Sequence, residues 1–173
     1  HMYHEGLDKV ALTKLKLNYN NPNLIAWNDF LNKYKNPKDS VNIALIGKYV
    51  ELQDSYKSIL ESFVHAGAAN EVEVKVVPIH SSYLEEKDVQ EKISKLDGVL
   101  VAPGFGGRGI EGKINAVKYV REHKIPFFGI CLGMQMAVIE YARNVLKLHA
   151  ANSVEMDANT PHPVISLMDE QRN

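Results

Sequence analysis

The chain has 173 residues, 45% of them hydrophobic and 24% charged, enough to bury one substantial core and no more than a fragment of a second. The formal net charge is −1, with Lys and Arg scattered along the chain, so no basic stripe argues for nucleic acid and no polybasic run argues for a membrane surface. No apolar run reaches the roughly 18 residues of a membrane span, and no signal-peptide pattern is visible, which predicts a cytoplasmic protein acting on small molecules or on protein.

In chain order, the opening His1-Met2 reads as the remnant of a cloning junction. Apolar residues at helical spacing then predict one helix between Gly6 and Leu17 and another between Asn23 and Tyr34. The polar stretch K-N-P-K-D-S that follows, up to Ser40, has the composition of a linker. The expected organisation is therefore a helical segment over residues 1–40 and a main domain over 41–173. Within that domain short apolar runs alternate with amphipathic stretches, the texture of parallel strands joined by crossover helices. Strands are expected at Val41 to Ile46, Val72 to Val77, Gly98 to Ala102 and Pro126 to Ile130. Helices are expected behind a possible Asp54 cap, over Lys87 to Leu96, over Glu111 to His123, and through Met134 to Ala142. The sum is an α/β fold: an open, mostly parallel sheet with helices on both faces, whose sites sit at the carboxyl ends of the strands. From Glu155 to Asn173 no convincing closing element is visible.

Two segments carry chemistry. In P-F-F-G-I-C-L-G-M-Q-M-A, Pro126 to Ala137, an apolar strand runs into G-I-C-L-G and on into a helix, the layout of a nucleophile elbow. A sharp turn would push Cys131 out of the sheet, with Gly129 and Gly133 letting the flanking backbone close in. Helix N–H groups would then favour the thiolate, the form that attacks carbonyl carbon. The competing reading is an inert core cysteine, since Cys131 is the single cysteine of the chain. The second segment, Val99 to Lys113, holds five glycines after a strand. It fails as a phosphate loop, because Gly-Lys is not followed by Ser or Thr. It fits an oxyanion hole in which Gly104 offers one N–H and Leu132 another, with a plain flexible connection as the alternative.

The segments Gly47 to Ser58, Pro103 to Ile114 and Pro126 to Asn144 closely resemble the glutaminase domain of CTP synthases, which are class I glutamine amidotransferases. G-x-C-x-G alone would point only to the wider class; the R-G-x-E-G-K-I loop points within it. Similarity extends to Asn152 to Asp157 and Pro161 to Gln171, and E-G-L-D in the first helix is similar to the tail of the family's synthase domain. The resemblance implies a flavodoxin-like core and a domain that frees ammonia from L-glutamine, for a synthase domain that adds it to ATP-activated UTP. It implies Cys131 as the nucleophile, Gly104 and the Leu132 backbone as oxyanion donors, and Leu132, Gly133, Met134, Gln135 and Glu155 as glutamine contacts. Without it Glu155 reads as a surface carboxylate and Arg108 as a solvated arginine. With it, Arg108 and Gly109 belong to a loop linked to activation by GTP. It further implies no cofactor or metal in this domain, ATP, UTP and Mg on the synthase domain, and a homo-tetramer.

The family completes its triad with a histidine followed two positions later by glutamate. None of His1, His4, His65, His80, His123, His149 and His162 has that partner. The expectation is a glutaminase domain that lacks its acid–base pair and is inactive or nearly so on its own. Three other readings remain: an amidotransferase serving a different acceptor, a catalytically incomplete glutamine-binding or assembly module, and a small α/β chaperone or protease-like relative, which the R-G-x-E-G-K-I loop disfavours.

Overall fold

The computed structural model of the chain describes residues 3–52, 54–84, 86–168 and 170. Two helices, α1 (Leu7–Lys14) and α2 (Ile25–Lys35), precede the sheet. The alternating region comprises β1 (Asp39–Gly47), α3 (Lys57–Asn70), β2 (Val72–His80), a 3-10 turn (Ser81–Tyr83), α4 (Glu86–Ile93), β3 (Gly98–Val101), α5 (Ile110–His123), β4 (Phe127–Gly129) and α6 (Leu132–Asn144). Its four strands pair in parallel in the order β2-β1-β3-β4. The chain thus starts in the second position and winds outward in both directions, as a doubly wound sheet requires.

Side-chain alternation along the strands divides the interior. Ala44 and Ile46 of β1 and Val99 and Val101 of β3 pack with Ile114, Val117, Met136 and Ile139 of α5 and α6. Leu45 and Leu100 face the other way, onto Tyr56 and Ile59 at the start of α3. Strand neighbours pointing to opposite faces give both layers a greasy contact surface, so helices cover the sheet on both sides.

The strands are longer than their apolar runs. Asp39 and Ser40 already pair with Val72 and Glu73, so part of the polar stretch expected to be linker is strand, held by backbone pairing that polar side chains do not obstruct. Beyond Val77, β2 continues through Pro78, which lies opposite Leu45. An edge strand tolerates proline because the missing N–H would have faced away from the ladder. The Asp54 cap is not formed: α3 begins at Lys57, with Tyr56 at the cap position and no side-chain cap bond. Tyr56 serves elsewhere, its hydroxyl accepting from the Lys48 N–H at 3.2 Å. After α6 come β5 (Ala151–Ser153) and β6 (His162–Ile165), a parallel pair with an irregularity between Asn152 and Ser153. This closing element escaped the sequence because its strands are three and four residues long, and T-P-H-P reads as a breaker.

An ionic clamp joins α5 to α6. Glu140 is only 1% exposed and accepts from Arg121 Nη2 at 2.8 Å, from Arg121 Nε at 3.0 and 3.1 Å, and from Asn144 Nδ2 at 3.1 Å. The bidentate carboxylate raises the Arg121 pKa. Glu140→Gln is expected to lower stability by about 2 kcal/mol, the scale of a hydrogen bond to a charged group, without altering cysteine reactivity. Urea denaturation beside thiol labelling checks both.

Candidate active site

The end of β4 and the start of α6 build the elbow. Cys131 caps α6 with φ 52 and ψ −108, a backbone conformation that a non-glycine residue adopts only where its surroundings enforce it. The enforcement is visible on both sides. A Cβ on Gly129 would stand 2.5 Å from the Gly133 carbonyl carbon and 2.6 Å from the Met134 nitrogen, and one on Gly133 would stand 2.2 Å from the Val101 oxygen. Only glycine lets the turn lie this close to β3. The turn is fastened by Ile130 N–H to Val101 O at 3.0 Å, Gly133 N–H to Ile130 O at 2.8 Å and Gln135 N–H to Cys131 O at 3.1 Å. Cys131 is exposed at this elbow, which excludes the inert core cysteine.

The glycine-rich loop, residues 102–109, follows β3 and lies at the same end of the sheet. Lys48, at the end of β1, is buried and donates to the carbonyls of Phe105 and Gly106, the latter at 2.8 Å. The loop is therefore anchored, and a plain flexible connection no longer describes it. Desolvation pulls the Lys48 pKa down, the neighbouring Arg108 charge pulls it further, and the Glu155 carboxylate opposes both. Arg108 and Glu155, far apart in sequence, are thus brought to one electrostatic neighbourhood. Gly109 takes a left-handed conformation at the N-terminus of α5. A Cβ on Gly104 would meet Leu132 Cδ2 at 3.7 Å and Lys113 Nζ at 3.8 Å, so Gly104 and Leu132 are neighbours. Among the described residues, neither the Gly104 N–H nor the Leu132 N–H has a backbone acceptor.

Of the remaining sequence candidates, Leu132 and Gly133 are buried in the first turn of α6, Met134 is exposed, and Glu155 is exposed with its N–H donated to Ser153 Oγ at 3.2 Å. Gln135 Oε1 is buried without a hydrogen-bond partner. Three of the histidines are engaged away from Cys131. His80 Nδ1 accepts from the Ser82 N–H, His123 bonds the Tyr119 carbonyl and stacks on its ring, and His65 packs edge-on to Phe30.

Lys48 and Lys113 carry no functional signal in the sequence. Lys113 is completely buried, and its pKa is lowered from 10.5 to about 8, chiefly by burial, with the Lys48 charge adding to the shift and Cys131 opposing it. The folded state therefore gives up this proton near pH 8, whereas the unfolded chain holds it to about 10.5. Below pH 8 the full cost of the buried charge is present, and it is relieved as pH rises between those values, an effect of roughly 3 kcal/mol. Stability of the wild type relative to Lys113→Met should rise across that window, as urea titrations at either end would show. A lysine after Glu-Gly in an amphipathic helix carries no sequence signal of burial; only packing reveals it.

Residues 51–166 match the family model for class I glutamine amidotransferases, and the chain belongs to that family. More particularly, it is 67% identical to a CTP synthase of Christiangramia forsetii over 99% of its length and 65% identical to one of Flavobacterium psychrophilum, again over 99%. In each case the chain spans 32% of the relative. Among solved structures it is similar to the glutaminase domain of a Trypanosoma brucei CTP synthase with bound acivicin, at TM-score 0.73 and 39% identity. That likeness covers 77% of this chain and 52% of the other.

Proposed function

We propose that this chain is the glutaminase part of a CTP synthase and that Cys131 attacks the side-chain amide of L-glutamine. The observation that carries the reading is the exposed Cys131 held at positive φ between two glycines that no larger residue could replace. The thiolate adds to the amide carbon, and the carbonyl oxygen, now negative, points toward the N–H groups of Gly104 and Leu132. Collapse breaks the C–N bond, the nitrogen taking up a proton as it leaves as ammonia, and water then cleaves the thioester to give glutamate and the free Cys131 thiol. Gly133, Met134, Gln135 and Glu155 complete the glutamine contacts.

The family resemblance extends this reading beyond the chain. A synthase domain uses the ammonia to convert UTP to CTP with ATP and Mg, in the cytoplasm and as a homo-tetramer. GTP acts through the Arg108 and Gly109 loop, a role supported by Arg108 lying exposed beside the anchored glycine segment. The test is Cys131→Ser in a polypeptide joining this chain to its synthase domain. Glutamine-dependent CTP formation is expected to vanish while ammonia-dependent formation persists. Retention of glutamine-dependent synthesis would rule Cys131 out as the nucleophile.

A further inference from the structure

Beneath the glycine loop lies a charge that the reaction just described leaves idle. Lys113, in the first turn of α5, has 0% relative exposure, and its Nζ has no hydrogen-bond partner. Lysine usually keeps its ammonium in water by extending its stem. A buried ammonium without an acceptor is costly, and an apolar residue of similar length would ordinarily serve the core better. Lys48 shows the contrast, since its donors go to the Phe105 and Gly106 carbonyls.

The position of the orphan ammonium suggests what compensates it. Its Nζ lies 3.8 Å from the point where a Cβ on Gly104 would stand, and Leu132 Cδ2 lies 3.7 Å from the same point. The charge is thus seated directly behind the loop and the helix turn that supply the two oxyanion donors. The titratable groups acting on it are Lys48, from the end of β1, which opposes its charge, and Cys131, from the start of α6, which favours it. Lys48 in turn feels Arg108 and Glu155. In this low-dielectric position a fixed positive charge has a long reach.

We infer that Lys113 is an electrostatic positioning residue of the glutaminase site: its buried ammonium, set behind Gly104 and Leu132, stabilises the negative charge that forms at Cys131 and passes to the oxyanion. The inference rests on the glutaminase reading. Below about pH 8 Lys113 keeps its proton through the reaction, and it makes no bond to substrate. Its contribution is the field at the two atoms, sulfur and oxygen, that carry the charge in turn.

The test compares wild type, Lys113→Met and Lys113→Arg by thermal melting and by the rate at which 6-diazo-5-oxonorleucine labels Cys131, from about pH 6 to about pH 10. Below about pH 8, Lys113→Met is expected to melt no lower than wild type, because the unpartnered charge is gone. It is nevertheless expected to label about tenfold more slowly, less than the loss from removing an oxyanion donor outright. The wild-type advantage should shrink toward nothing as pH passes about 8 and the amine becomes neutral. A merely structural lysine would give a lower melting temperature and a rate loss independent of pH, and that result overturns the inference. So do equal rates in wild type and Lys113→Met.

Should Lys113→Met fail to fold, Lys113→Arg decides. Its charge persists above pH 8, so its rate relative to wild type must climb there, and a constant ratio contradicts the proposal. A wild type whose Cys131 labels no faster than in urea removes the glutaminase reading and this inference together. Labelling of the wild type with no effect of Lys113→Met removes the inference alone.

Discussion

Gly133→Ala is expected to cost more than about 3 kcal/mol of stability, or to prevent folding, although it adds a single methyl group. The methyl carbon would lie 2.2 Å from the Val101 oxygen and 2.9 Å from its carbonyl carbon. Both atoms belong to the backbone of β3, so no side chain can swing aside. Moving α6 outward would break the Ile130 N–H bond to Val101 O and loosen the pairing of Val101 with Gly129. Gly104→Ala provides the control, because its methyl would make ordinary contacts at 3.7 and 3.8 Å. That variant should melt within a few degrees of wild type, with its deficit, if the oxyanion donor is disturbed, appearing as a fall in rate on the order of 10² to 10³. Urea denaturation of the two variants side by side measures the difference. A Gly133→Ala protein within about 1 kcal/mol of wild type would mean that the elbow is not packed against β3 as described.

The second large effect separates attack from turnover. In the proposed reaction, attack needs the Cys131 thiolate and the N–H groups of Gly104 and Leu132, all three of which this chain carries. Release of ammonia and hydrolysis of the thioester need a general acid and base, a contribution of roughly 10² to 10⁴ in rate. None of the seven histidines in the sequence is followed two positions later by glutamate. His65, His80 and His123 are engaged with Phe30, Ser82 and Tyr119. A polypeptide of these 173 residues is therefore expected to accept a glutamine-like electrophile yet release glutamate at least about 10² more slowly than one that also carries a His-x-Glu pair. Paired assays of adduct formation and glutamate release on the same preparation distinguish the two steps. Turnover matching that of the longer polypeptide would mean that one of the histidines acts as the base, with His80 and His149 the first to mutate.

Much of this arrangement was legible before any coordinates. The four strands and their crossover helices announce themselves because parallel strands buried on both faces are continuous apolar runs, as in Val99 to Ala102, and because the helices carry apolar stripes. The elbow was legible for a different reason. Gly129 and Gly133 flank Cys131 at a spacing that only a tight strand-to-helix turn requires. What stayed hidden depended on contacts between distant segments. Pro78 continues a strand only because β2 is an edge, and β5 and β6 are short segments stabilised by each other and by α6. Lys48 and Lys113 look like ordinary surface lysines in the sequence. Their burial follows from the loop folding over the ends of β1 and α5, which no local pattern encodes.

The central claim is that Cys131 is a nucleophile built to attack a glutamine side chain. It is tested most directly by intact-mass measurement of the protein after exposure to 6-diazo-5-oxonorleucine, with peptide mapping of the adduct. One adduct per chain is predicted, located on Cys131, formed faster in the folded protein than in urea, competed by L-glutamine and absent from Cys131→Ser. Labelling no faster than that of the denatured chain, or unaffected by glutamine, would contradict it.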